Sequence, residues 1–158
     1  MKGRVIALAI AAFLAIAGTA GAATFSSHVL CGSSCGTLVA TKGSGQLRLT
    51  ATGTAYGSVA SGTIAVKDLS DNGSRDFSVA GWSRSWKRNG FVFYSGRNLT
   101  YFVSTTWTVK IYGKSGITSS ATAKGHGYIK GSGTWSRNAH GSKSWPSAGQ
   151  TFDLSASS

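Results

Sequence analysis

The chain has 158 residues, with 16 Lys and Arg against four acids and a formal charge of +12. It carries three His and two Cys, and its acids are the aspartates Asp68, Asp71, Asp76 and Asp153, sparse material for carboxylate-rich or multi-histidine metal centres. This length suits one domain with its own core, and this charge balance suits polyanionic partners.

Lys2 and Arg4 precede an unbroken apolar run from Val5 to Ala17, and Ala20-Gly21-Ala22 supplies small residues at the cleavage spacing. That order is the signature of a secretory signal peptide over residues 1–22. The run of 13 residues falls short of the roughly 20 that span a bilayer, so the expectation is an exported protein with no transmembrane anchor after cleavage. Loss of Lys2 and Arg4 takes the charge from +12 to +10.

Residues 23–45 form an N-terminal segment holding both cysteines, Cys31 and Cys35. In an oxidising compartment the pair is expected to be a disulfide closing a short local loop. The spacing is not C-x-x-C and only His28 is nearby, which argues against a redox or metal role.

From residue 46 to 158 short alternating runs are punctuated by glycine. In Gln46 to Ala55, Leu47, Leu49 and Ala51 alternate with Arg48, Thr50 and Thr52, the period of a strand with one buried face. Similar runs follow at 60–67, 76–82, 90–94, 99–103, 106–112, 117–124, 128–135 and 151–154. The predicted fold is all-β: a single antiparallel sandwich or barrel of about nine short strands, with no helix between them. Gly-x-Gly pairs inside the runs mark bulges, close approach or barrel corners.

Two Asn-Gly turns set register. Asn72-Gly73 predicts a type I′ hairpin with Val66 facing Val79, and Asn89-Gly90 predicts a second with Arg88 opposite Phe91 and Trp86 opposite Phe93. The second places Arg84, Trp86, Arg88, Phe91 and Phe93 on one face, with Trp82 in line before them. Basic and aromatic side chains interleave there, so Trp82, Arg84, Trp86 and Arg88 are the candidate ligand-binding residues.

Gly45-Gln46-Leu47-Arg48-Leu49, Ser61-Gly62-Thr63-Ile64-Ala65-Val66, Tyr94-Ser95-Gly96 and Lys130-Gly131-Ser132-Gly133-Thr134-Trp135 resemble small exported glycine-rich β-proteins of actinobacteria and related bacteria. The resemblance covers roughly residues 43–136 and implies the β-fold without an activity. This chain departs from that group in being more basic and richer in tryptophan.

Catalytic patterns lack their contexts. Gly32-Ser33-Ser34-Cys35-Gly36 matches G-x-S-x-G, but an elbow needs a strand before and a helix after it. Gly113-Lys114-Ser115 lacks the upstream glycine of a phosphate loop and reads as a hairpin turn. Asp71 and Asp76 are the one candidate carboxylate pair, and turn and ion-pair roles explain them better. The expectation is a non-enzymatic secreted or cell-envelope module without cofactor or metal. Its expected partner is an anionic extracellular polymer (wall polymer, acidic polysaccharide or nucleic acid), with a structural or assembly role as a variant. The alternative is a secreted cationic antimicrobial or toxin-like effector.

Overall fold

A computed structural model of the chain describes residues 30–158; the expected leader and His28 lie outside them. A 3-10 turn at Gly32–Ser34 precedes six strands: β1 (Gly36–Asp68), β2 (Phe77–Arg88), β3 (Phe91–Val103), β4 (Thr106–Arg137), β5 (Lys143–Ser144) and β6 (Gln150–Leu154). They form one antiparallel sheet in the order β2-β3-β1-β4-β5, with β6 also on β4. The all-β, antiparallel expectation holds. Among the described residues no helix is long and apolar enough to cross a membrane.

The strand count differs from the expected nine because glycines bend strands here without ending them. The predicted runs at 46–55 and 60–67 are both parts of β1, which starts as early as Gly36. The runs at 90–94 and 99–103 merge into β3. Those at 106–112, 117–124 and 128–135 merge into β4, so Gly113-Lys114-Ser115 is a bend inside a strand and not a hairpin turn.

Register shows how the long strands coil. Gly45 pairs with Gly113 on one side and with Gly131 on the other, and Leu47 likewise with Ile111 and Ile129. Residues about 18 positions apart in β4 would lie roughly 60 Å apart on a flat strand, yet they are separated here by two strand spacings, about 10 Å. β4 therefore winds around, and β1 winds with it. The sheet rolls up without closing: β2 is one edge, and the other edge of β4 carries β5 and β6.

The bends sit on creases running across the strands. Gly131, Gly45, Gly113, Gly62 and Gly96 are successive cross-strand partners, a row of residues without side chains where backbones approach closely. Gly45 and Gly131 have φ of 133° and 132°, a conformation that only glycine adopts readily. A Cβ at Gly45 would run into the Lys130 carbonyl oxygen, and one at Gly62 into that of Tyr112. A second crease passes through Gly36, Ala123 and Gly53.

Rolling buries one face. Leu38, Leu47, Leu49, Ile64, Ile111 and Ile129 are fully buried in one cluster that also takes in Trp107, Trp135 and Trp145. Each aliphatic side chain so placed contributes about 1.5–3 kcal/mol. The three indole N–H groups donate to backbone carbonyls of Gly53, Ser144 and Thr134, so burying them leaves no polar atom stranded.

Cys31 and Cys35 form the expected disulfide, with Cα atoms 5.4 Å apart. The bridged turn is tied to the C-terminus, since the Ala156 N–H donates to the Ser34 carbonyl at 3.0 Å.

One predicted hairpin is absent. β1 does not pair with β2, because β3 lies between them. Val79 faces Tyr101, and Val66 faces Val92 and Val109. Residues 69–76 form a connecting loop around Asn72-Gly73 instead of a two-residue turn.

Candidate functional site

The Asn89-Gly90 hairpin forms with the predicted register. Arg88 is opposite Phe91 and Trp86 is opposite Phe93. Asn89 and Gly90 take φ of 53° and 79°, the positive values that a type I′ turn requires. Trp86 and Phe93 stack nearly parallel, centroids 5.2 Å apart and planes 6° apart. They are half-buried and lie outside the core cluster, on the outer surface of the rolled sheet.

Three of the four candidate binding residues come together here, and the fourth does not. Arg84, Trp86 and Arg88 share the outer face, with the Arg84 guanidinium carbon 5.1 Å from the Trp86 ring centroid. Between Trp82 and Arg84 the register slips: Arg84 faces Ser95, but Trp82 faces Gly96, leaving Ser83 as an extra residue. An inserted residue turns the preceding side chains to the other side of the sheet. Trp82 accordingly packs against Tyr94 at 5.7 Å, remote from the Trp86 face.

The coil extends the hairpin's face well beyond β2 and β3. From Trp86 the cross-strand row runs through Phe93, Ala65, Lys110 and Arg48 to Tyr128. The neighbouring row runs from Arg84 through Ser95, Thr63, Tyr112 and Gln46 to Lys130. Lys110 Nζ stands 4.3 Å from the Phe91 centroid, Lys67 Nζ 5.8 Å from the same ring, and the Arg48 guanidinium 5.8 Å from Tyr128. None of the pairings in these two rows includes an acid; Asp153 faces His126 at the border formed by β6.

Local structure places these cations. Outward positions of β1 and β4 alternate with core positions, so Arg48 between Leu47 and Leu49, and Lys110 between Val109 and Ile111, must point away from the core. The ring beside each cation restrains a flexible side chain. Several ring faces are occupied by each other and by cations. What the surface offers outward is thus fixed positive charge on aromatic supports, more than bare rings for stacking. Arg48, Lys67, Lys110, Tyr128 and Lys130 are not in the candidate set; their outward alternation was visible in the sequence, but their proximity to Trp86 depends on the coil.

The aspartates other than Asp153 cluster in the β1–β2 loop. Asp76 accepts hydrogen bonds from Asn72 at 2.6 Å and from the hydroxyls of Thr105, Ser70 and Ser74 at 2.8, 2.8 and 2.9 Å. These donors, led by the Asn72 amide, hold its pKa down to about 2. Asp68 accepts from the Ser70 hydroxyl and from the Ser70 and Asp76 backbone amides. Burial raises its pKa, but these donors outweigh burial and the net shift is downward. Asp71 takes no part in this network, so the candidate pair Asp71 and Asp76 is not assembled as a pair. Thr105 comes from the β3–β4 link, so the network pins loop to link.

The remaining chemistry is structural. Ser34, the serine of the G-x-S-x-G match, donates to the Cys31 carbonyl at 2.6 Å and is followed by a strand. The buried Tyr101 phenol shares a 2.6 Å hydrogen bond with Ser119; burial pushes its pKa up and the bond only partly offsets this. A cleft of about 340 Å³ lies among Trp135, Arg137, His140 and Lys143, again basic. Among the described residues no three His, Cys, Asp or Glu are grouped as a metal site would need. Comparison with known protein families, curated proteins and solved structures finds no match.

Proposed function

We propose that the chain is a non-enzymatic binding module of the extracellular space or cell envelope, gripping an anionic polymer through its basic outer face. The observation that carries this reading is the set Arg84, Lys67, Lys110 and Arg48, each held beside an aromatic ring on a face whose one acid, Asp153, lies at its β6 border. Preplaced cations lose less freedom on binding than free ones, and guanidinium forks match phosphate, sulfate or carboxylate groups. The disulfide suits an oxidising location of this kind.

The polymer contacts are Arg84, Trp86 and Arg88 from the hairpin, with Arg48 and Lys110 continuing the track. Retention on heparin, DNA or isolated wall polymer across a salt series tests this. Binding is expected at low salt, weakening steeply as salt rises. Replacing Arg84 and Arg88 by alanine is expected to weaken it about tenfold or more. No retention at low salt on any of the three, or retention indifferent to the double replacement, rules the reading out.

A further inference from the structure

The far side of the glycine crease is the electrical opposite of the basic face. Its central row runs Ser136, Val39, Ser120, Tyr56, Phe102 and Ser78. One flanking row, through Thr134, Thr41, Ser58 and Thr100, is serine, threonine and alanine. The other, through Thr37, Thr122 and Thr54, ends on Asn138 and, past Ser104, on Asp76, so no base stands in this patch and its one acid is at a corner. These positions alternate with buried Leu38, Ala55, Tyr101 and Val103 and therefore point outward. Val39, Tyr56 and Phe102 are 45, 42 and 37 % exposed, three large apolar side chains in one row that carries no charge.

We infer that this neutral face docks against the same face of a second copy, giving a back-to-back dimer. Charge selects this occupant. A chain of +12 repels its own copies wherever basic surfaces meet, and like charges brought together cost several kcal/mol. Only with the neutral faces together do the cations of the two basic faces point away from each other. The nearest cations stand outside the patch on both sides, Lys42, Arg97 and Lys114 at the glycine crease and Lys124 beyond Thr122. An identical patch on both partners is also the self-complementary arrangement that a two-fold dimer needs.

Size sets the strength. Six strands across and three rows along make a patch of roughly 24 by 15 Å, which buries well below the about 1,600 Å² of a standard interface. The dimer is accordingly weak and reversible. A dimer so built carries its two basic faces outward. Its capacity to bridge two polymer strands rests on the binding reading above; dimerisation itself does not.

Sedimentation equilibrium of the chain at about 0.05 M and about 0.5 M salt tests the inference. Association is expected to strengthen at high salt, where residual repulsion is screened, opposite to polymer binding. Ser120→Lys puts two cations at the centre of the interface and is expected to raise the dissociation constant at least about tenfold. Phe102→Ser, which adds no charge, is expected to raise it by about threefold or more. Tyr112→Lys, on the basic face, should leave it unchanged. A monomer at both salts and at millimolar concentration overturns the inference. So does a dimer untouched by both neutral-face substitutions, or one lost with Tyr112→Lys. Far-UV spectra of each variant separate lost association from lost folding.

Discussion

Asp76 shows how a single side chain locks a loop in this basic protein. Its folded pKa of about 2 lies below the ordinary 3.8, so ionised Asp76 stabilises the fold. That contribution is complete above the unfolded pKa and is lost as pH falls through about 2; Asp68 acts in the same direction. The thermal midpoint should therefore hold down to about pH 4 and then drop toward pH 2. Asp76→Asn should lower the midpoint at neutral pH and flatten the acid limb. A wild-type midpoint unchanged from pH 5 to pH 2 would show that the network contributes nothing. At the same scale, Trp82 shows a limit of reading by alternation. Its placement depends on two register slips, one at Gly81 with φ of 80° and one at Ser83, and period-two counting carries across neither.

Elements divide between those decided locally and those decided by the coil. The Asn89-Gly90 hairpin and the cross-strand pairs beside it were legible because turn chemistry and register are properties of neighbouring residues. Asn72-Gly73 carries the same dipeptide, yet its flanking strands are kept apart by β3, whose insertion no local signal reports. Likewise the glycines between the runs that merge, such as Gly57, Gly96, Gly113 and Gly125, lie inside continuous strands. Only cross-strand partners reveal that Gly131, Gly45, Gly113, Gly62 and Gly96 share one row. That row makes a sharp claim about stability. In Gly62→Ala the new methyl runs into the Tyr112 carbonyl oxygen and close to the Gly113 Cα, both backbone and unable to swing aside. A loss of about 2 kcal/mol or more is expected, read from urea unfolding. Ala at Gly73, which has open space around it but a φ of 71°, should cost about 1 kcal/mol. Equal costs at both positions would mean that the crease is not a close approach.

At the scale of the whole molecule, rolling one sheet sorts its outward side chains into a charged and an uncharged face. The outer sides of β1 and β4 each cross a crease: Arg48 and Lys110 lie before it on the basic side, Val39 and Ser120 beyond it on the neutral one. A surface assembled this way acts as a unit, although its cations lie far apart in sequence. If a polymer strand lies along the row from Trp86 to Tyr128, it spans five strand spacings, roughly 24 Å, and meets Lys110 and Arg48 as well as the hairpin. Each cation that neutralises a charge on the polymer releases counterions, so the slope of log affinity against log salt counts contacts. Replacing Arg48 and Lys110 by alanine should therefore lower that slope by about 2, about as much as replacing Arg84 and Arg88. Measured slopes for the two double variants decide between two footprints. Equal reductions place the strand across the coil, whereas an unchanged slope in Arg48→Ala with Lys110→Ala confines it to the hairpin, making the rest of the face a bystander.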